Sequence, residues 1–118
     1  MGFVLDNKSP IYLQIIKYIQ RKIVLEELKP GDTIPSRREM ALELKVNLNT
    51  VQRAYKEMEQ MGIINTFKNY QSSITTNEDV LKNIKMDLIN ESLEDFIDSM
   101  KAIKVSKEEI IEIINNRY

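Results

Sequence analysis

Apolar and polar residues follow a helical rhythm along most of this chain. Tyr12, Ile15, Ile16, Ile19 and Ile23 recur at spacings of three and four, which predicts a helix over residues 10–25, capped by Ser9 with Pro10 in its first position. Met40, Ala41 and Leu44 predict a second helix. Its start is marked by Ser36, able to cap the free amides, and by Glu39 three residues on, with Pro35 resisting an earlier start. Lys45, Val46 and Asn47 make a corner short enough to force a sharp turn. A third helix follows, capped by Asn47 or Asn49, burying Val51, Ala54, Tyr55, Met58 and Met61 and stopping at Gly62.

The pattern then changes period. After a turn at residues 29–32, Thr33 and Ile34 predict a very short strand, and residues 63–67 and 72–76 predict two more, joined by a polar tip at 68–71. From Asn77, a cap, a long helix is predicted to about Ile103, with Leu81, Ile84, Leu88, Ile89, Leu93, Phe96, Ile97, Met100 and Ile103 on its apolar side. Ser106 and Glu109 repeat the capping spacing before a last helix with Ile110, Ile111, Ile113, Ile114 and Tyr118. Residues 1–8 are expected to be an irregular arm whose Phe3, Val4 and Leu5 pack on a neighbouring surface. The expected fold is mainly α with a small β wing: a winged helix-turn-helix over residues 1–76, followed by a C-terminal helical hairpin over 77–118.

The outer face of the third helix carries Asn49, Thr50, Gln52, Arg53 and Lys56. Asn and Gln can bond adenine edges, Arg can fork onto guanine or phosphate, and Thr can serve either. A solvated helix face would be polar too, but the helix-turn-helix corner in front of this one favours DNA reading. Between Pro35 and Lys56 stand five basic residues (Arg37, Arg38, Lys45, Arg53, Lys56) and two acidic ones, a local net charge of +3, and Arg37 is counted with Arg38 among the candidates for DNA contact.

LKPGDTIPSRREMALELKVNLNTVQRAYKEMEQMGII, over residues 28–64, closely resembles the DNA-binding domain of GntR-type bacterial transcription regulators, and the resemblance extends back to Pro10. PIYLQI, LKPGD and NTVQRAY are most similar to the short YtrA-like branch. The resemblance implies a winged helix-turn-helix that contacts DNA through Arg38 at the start of the second helix and through Asn47, Asn49, Thr50, Gln52 and Arg53. It also implies a repressor that dimerises through a short carboxy-terminal helix pair. Leu48 departs from the arginine many members carry, so their sequence preference does not transfer. The wing, which reads Phe67, Lys68, Asn69, Tyr70, Gln71, Ser72, Ser73, lacks the family's glycine-rich tip and is expected to be looser. There Lys68 is a candidate for phosphate or minor-groove contact and Tyr70 for stacking or a backbone bond, against the alternative of a plain surface loop.

Composition narrows the remaining options. With 118 residues, 42% of them hydrophobic, the chain has room for one compact domain and a small appendage. It has no cysteine and no histidine, which leaves only carboxylates for catalysis or metal binding. Glu94/Asp95 and Glu108/Glu109 are sequence neighbours that point apart on a helix, so neither an enzyme nor a cofactor is expected. No apolar run approaches the roughly 20 residues that span a bilayer, and the amino end lacks a leader pattern, so a cytoplasmic protein is expected. The formal net charge of −1 and pI of about 5.6 argue against a generic polyanion binder. The charge is unevenly divided, however: residues 1–76 carry 11 basic and 8 acidic side chains, and 77–118 carry 6 and 10.

Two short helices cannot cover the apolar surface of 77–118 by folding on each other. Leu88, Leu93, Phe96, Ile97, Met100, Ile110 and Ile114 are therefore expected at a homodimer interface, which would present two recognition helices to a near-palindromic operator. A small-molecule effector, if one acts, would sit between wing domain and hairpin or at the dimer seam. The rival reading is a winged helix used for protein docking without DNA. It would favour aromatic or aliphatic anchors where Asn49, Thr50, Gln52 and Arg53 stand.

Overall fold

The computed structural model describes residues 3–68 and 71–118, which divide into two compact units, 1–86 and 87–118. In the first unit, helix α1 (Ile11–Val24), strand β1 (Thr33–Ile34), helices α2 (Arg37–Leu44) and α3 (Leu48–Gln60), strands β2 (Ile64–Thr66) and β3 (Ser72–Ile74) and the first turns of α4 (Glu78–Ala102) follow in order. The sheet is antiparallel with β3 in the middle: Thr33 and Ile34 of β1 lie opposite Ser73 and Ser72, and Ile64 of β2 lies opposite Ile74. A three-stranded sheet beside three helices is the winged helix-turn-helix expected.

Helix α3 is the centre of the core. Its Val51, Ala54, Tyr55 and Met58 are fully buried where α3 packs on α1, α2 and β2, in a core that also holds Ile15, Ile16, Ile19 and Ile23 of α1, Met40 and Ala41 of α2, Ile63 just before β2, and the strand residues Ile34, Ile64 and Ile74. Each such aliphatic side chain contributes roughly 1.5–3 kcal/mol of burial free energy, so the helix is held along its whole inner face. Its outer face inherits that rigidity.

The helix ends are set by local hydrogen bonds. Ser36 Oγ accepts from the Glu39 amide at 3.1 Å and Glu39 Oε1 accepts from the Ser36 amide at 3.0 Å, a reciprocal capping box. The Ser36 amide, then its hydroxyl, hold the Glu39 carboxyl below the usual carboxylate range. Asn47 caps α3, its Oδ1 accepting from the Asn49 amide at 2.7 Å. At the other end Gly62 takes φ +77°, with its amide on the Glu59 carbonyl and that of Ile63 on Met58, the paired bonds of a Schellman turn. Lys45 ends α2 in the left-handed region at φ +57°, and this makes the sharp corner.

Four expectations are corrected. Ser9 is not a side-chain cap: Pro10 holds the N-cap position of α1, and the Ser9 carbonyl accepts instead from the Gln14 side chain. Met61 is 46% exposed, because the Schellman turn redirects the chain and Ile63 takes the core position. Tyr12 and Leu44 are half-buried and not core. The arm's Val4 and Leu5 are exposed, whereas Phe3 does pack, edge-on against Tyr18 at 5.2 Å between centroids. Gln14 ties the arm down by bonding both the amide and the carbonyl of Asp6 at 3.0 Å.

In α4 Asn77 Oδ1 accepts from the Asp79 and Val80 amides, and Ile84 is the helix's buried residue. The second unit contains the rest of α4, a turn in which Lys104 takes φ +59°, and α5 (Lys107–Arg117), capped by Ser106 on the Glu109 amide. Within 87–118 no side chain is fully buried.

Candidate nucleic-acid interface

The outer face of α3 borders two clefts. One, of about 840 Å³ and open, is lined by Arg37, Arg38, Gln52, Arg53, Lys56 and Glu59. The second, of about 300 Å³, is lined by Ile11, Tyr12, Asn49, Thr50 and Arg53. Eight of the nine sequence-selected residues thus gather on α3, its cap Asn47, and the start of α2. Arg53 stands where the two clefts meet.

The candidate residues are not equally available. Arg38, Asn49, Gln52, Arg53 and Lys56 are exposed and Thr50 is half-buried. Asn47 is exposed too, yet its carbonyl oxygen is already committed to the α3 cap, which leaves its amide NH2 to donate. Arg37 is more heavily used: its Nη2 donates to Glu59 Oε1 at 2.6 Å, and its guanidinium carbon lies 5.3 Å from the centroid of the Tyr55 ring. This pairing neutralises one of the four cations in the larger cleft, and Arg38, Arg53 and Lys56 supply its positive field. Lys68 is exposed on the wing, on a separate element beyond β2; Asn69 and Tyr70 lie outside the described residues.

The position of this face is fixed from below. Tyr55, buried on the inner side of α3, donates its hydroxyl to the Pro35 carbonyl at 2.6 Å, tying the helix to the residue before the α2 cap. Burial pushes that hydroxyl well above the ordinary phenol range. It therefore remains a donor at any ordinary pH.

Two participants escaped the sequence analysis. Glu59 carried no signal in the sequence, yet it sits in the larger cleft against Arg37. Tyr12 was placed in an apolar stripe, yet its ring lies 3.9 Å from the Arg53 guanidinium carbon and its oxygen accepts from Arg53 Nη2 at 3.2 Å. The available signal was its polar tip, since a tyrosine at the edge of a stripe commonly keeps one end wet.

The seven candidates for self-association all lie on α4 and α5. Leu93, Phe96 and Ile114 are 47%, 39% and 47% exposed, and Leu88, Ile97, Met100 and Ile110 are half-buried. Among the described residues no helix is long and apolar enough to cross a membrane.

Comparison with known proteins gives this arrangement a lineage. The profile described as "Bacterial regulatory proteins, gntR family" matches residues 11–70. The HTH-type transcriptional regulator YhcF of Bacillus subtilis is 43% identical over 107 residues, covering 91% of this chain and 88% of that protein. The HTH-type transcriptional repressor YtrA of the same organism is 40% identical over 92 residues, 77% of this chain and 71% of that one. Among solved structures, a GntR family transcriptional regulator from Listeria monocytogenes matches with a TM-score of 0.88 at 34% identity, over 97% of this chain and 100% of that chain. With a winged helix-turn-helix, an exposed recognition-helix face and relatives that are transcription regulators and not enzymes, this chain belongs to the GntR family of bacterial regulatory proteins.

Proposed function

We propose that this regulator is a repressor that binds a near-palindromic operator as a homodimer. Residues 1–76 are the DNA-reading part and 77–118 the dimerising part. The observation that carries the reading is the convergence of Arg38, Gln52, Arg53 and Lys56 on one open cleft beside the outer face of α3. Arg38 and Lys56 supply sequence-blind attraction to phosphates, joined by Lys68 from the wing. Asn49, Thr50, Gln52 and Arg53 read base edges in the major groove, each good bidentate contact contributing roughly 1–3 kcal/mol of selectivity. Arg37 serves mainly through its pair with Glu59.

Dimerisation is supported by the exposed apolar residues of α4 and α5, which a single chain leaves in contact with water. A two-fold dimer places its recognition helices roughly 34–36 Å apart, one turn of duplex, or a small multiple of that. Repression is supported by the similarity to YtrA, a protein named as a repressor.

Selection of bound duplexes from a random pool, with affinity for the winners followed against salt, tests the proposal. Enrichment of one near-palindromic site is the expected result. No enrichment, together with weak binding even at low salt, would overturn it in favour of a protein-docking module.

A further inference from the structure

Arg53 is exposed but not loose. Its guanidinium lies over the Tyr12 ring, 3.9 Å from the centroid, and donates to the Tyr12 oxygen at 3.2 Å across 41 residues of sequence. Tyr12 is the second residue of α1, and the next turns of that helix are anchored by Ile15, Ile16 and Ile19, exposed by 0%, 5% and 1%. The ring is thus mounted on the core, while the arginine it supports projects from the recognition helix.

Resting on the reading of α3 as the DNA-recognition helix, we infer that Tyr12 is a positioning residue for sequence reading: its ring and hydroxyl hold Arg53 in place before DNA arrives. A free arginine loses much rotamer freedom when a base captures it, and one already stacked loses less. One donor goes to Tyr12 and the others remain for a forked contact with a base edge. Arg53 borders both clefts, with Asn49 and Thr50 on one side and Gln52 and Lys56 on the other. An arginine fixed there stands among the residues that read bases.

Sparing a long side chain part of its ordering cost on binding is worth about two- to five-fold in affinity, and two copies in a dimer multiply to about five- to thirty-fold. The experiment measures affinity of wild type, Tyr12→Leu, Tyr12→Phe, Arg53→Ala and the Tyr12→Leu/Arg53→Ala double variant. The probes are the selected duplex and the same duplex changed at the base pair where Arg53→Ala loses discrimination. Tyr12→Leu is expected to lose affinity for the selected duplex by that factor while leaving the changed duplex nearly untouched. Tyr12→Phe, which keeps the ring, is expected within about two-fold of wild type. In the Arg53→Ala background Tyr12→Leu is expected to have no further effect.

Equal binding by Tyr12→Leu and wild type overturns the inference and leaves the DNA-reading proposal standing. So does an equal loss on both duplexes, or a Tyr12→Phe loss as large as that of Tyr12→Leu. A gain of affinity in Tyr12→Leu also overturns it, because the stack would then hold Arg53 back. If Arg53→Ala loses no discrimination at any position, the inference fails and base reading rests on Asn49, Thr50 and Gln52, whereas failure of the selection itself removes both proposals. Thermal unfolding accompanies each variant, and Tyr12→Gln replaces Tyr12→Leu if the leucine does not fold.

Discussion

Tyr55, at the centre of the recognition helix, donates its hydroxyl to the carbonyl oxygen of Pro35 over 2.6 Å, so one buried side chain joins α3 to the entrance of α2. Removing that hydroxyl in Tyr55→Phe strands a carbonyl and is expected to cost about 1–2 kcal/mol with little change in the denaturant slope. Urea unfolding monitored by circular dichroism measures it. A variant as stable as wild type would mean the bond contributes nothing net.

The same tyrosine predicts an alkaline limit. Burial raises its folded-state pKa above the reference value of 10.0. The hydroxyl's contribution is therefore fully present below about pH 10 and declines as pH rises through the folded value, because the unfolded chain ionises first. Urea midpoints measured from pH 8 upward are expected to fall beyond that point, and less steeply in Tyr55→Phe.

Arg37 and Arg38 are sequence neighbours with different roles. Arg38 is exposed in the larger cleft, so Arg38→Ala is expected to weaken binding to all duplexes and to reduce the salt slope by about 1. Arg37 is paired with Glu59, the two side chains being 26% and 35% exposed. Arg37→Ala is thus expected to cost about 1 kcal/mol of stability with little change in slope. Glu59→Gln removes the cleft's carboxylate and is expected to tighten binding at low salt. Fluorescence anisotropy across a salt series separates these outcomes.

Lys45 holds the helix-turn-helix corner at φ +57°, a conformation that disfavours residues with a Cβ. Lys45→Gly is expected to raise stability by up to about 1 kcal/mol, the relief of strain exceeding the added freedom of the unfolded chain. A lower melting temperature for this variant would contradict that account.

Leu93 and Phe96 are exposed by 47% and 39% in the single chain, so a charge there costs little folding free energy. Leu93→Glu or Phe96→Glu is expected to leave helix content unchanged by circular dichroism and to yield monomers with greatly weakened operator binding. Light scattering that still reports dimers would remove α4 from the proposed interface.

The features legible in the sequence were those closed within a few residues. The Ser36–Glu39 box, the Gly62 stop and the Asn77 and Ser106 caps each need only neighbouring backbone, and the stripes Ile15–Ile23 and Val51–Met58 follow from helical period. Period identifies the apolar face of a helix but not the surface that will meet it. Period therefore placed Tyr12 in an apolar stripe without showing that it meets Arg53, 41 positions away, and gave no sign that Arg37, a candidate for DNA contact, pairs with Glu59, 22 positions away. Met61 fitted the stripe and was turned out of the core by the glycine that follows it. Local hydrogen bonding and periodicity determined the elements and their caps, and the resemblance of residues 10–64 pointed to the family of the chain. Which side chains on those elements are free to meet DNA was decided by how α1, α2 and α3 pack, since a contact between distant residues exists only once the helices have met.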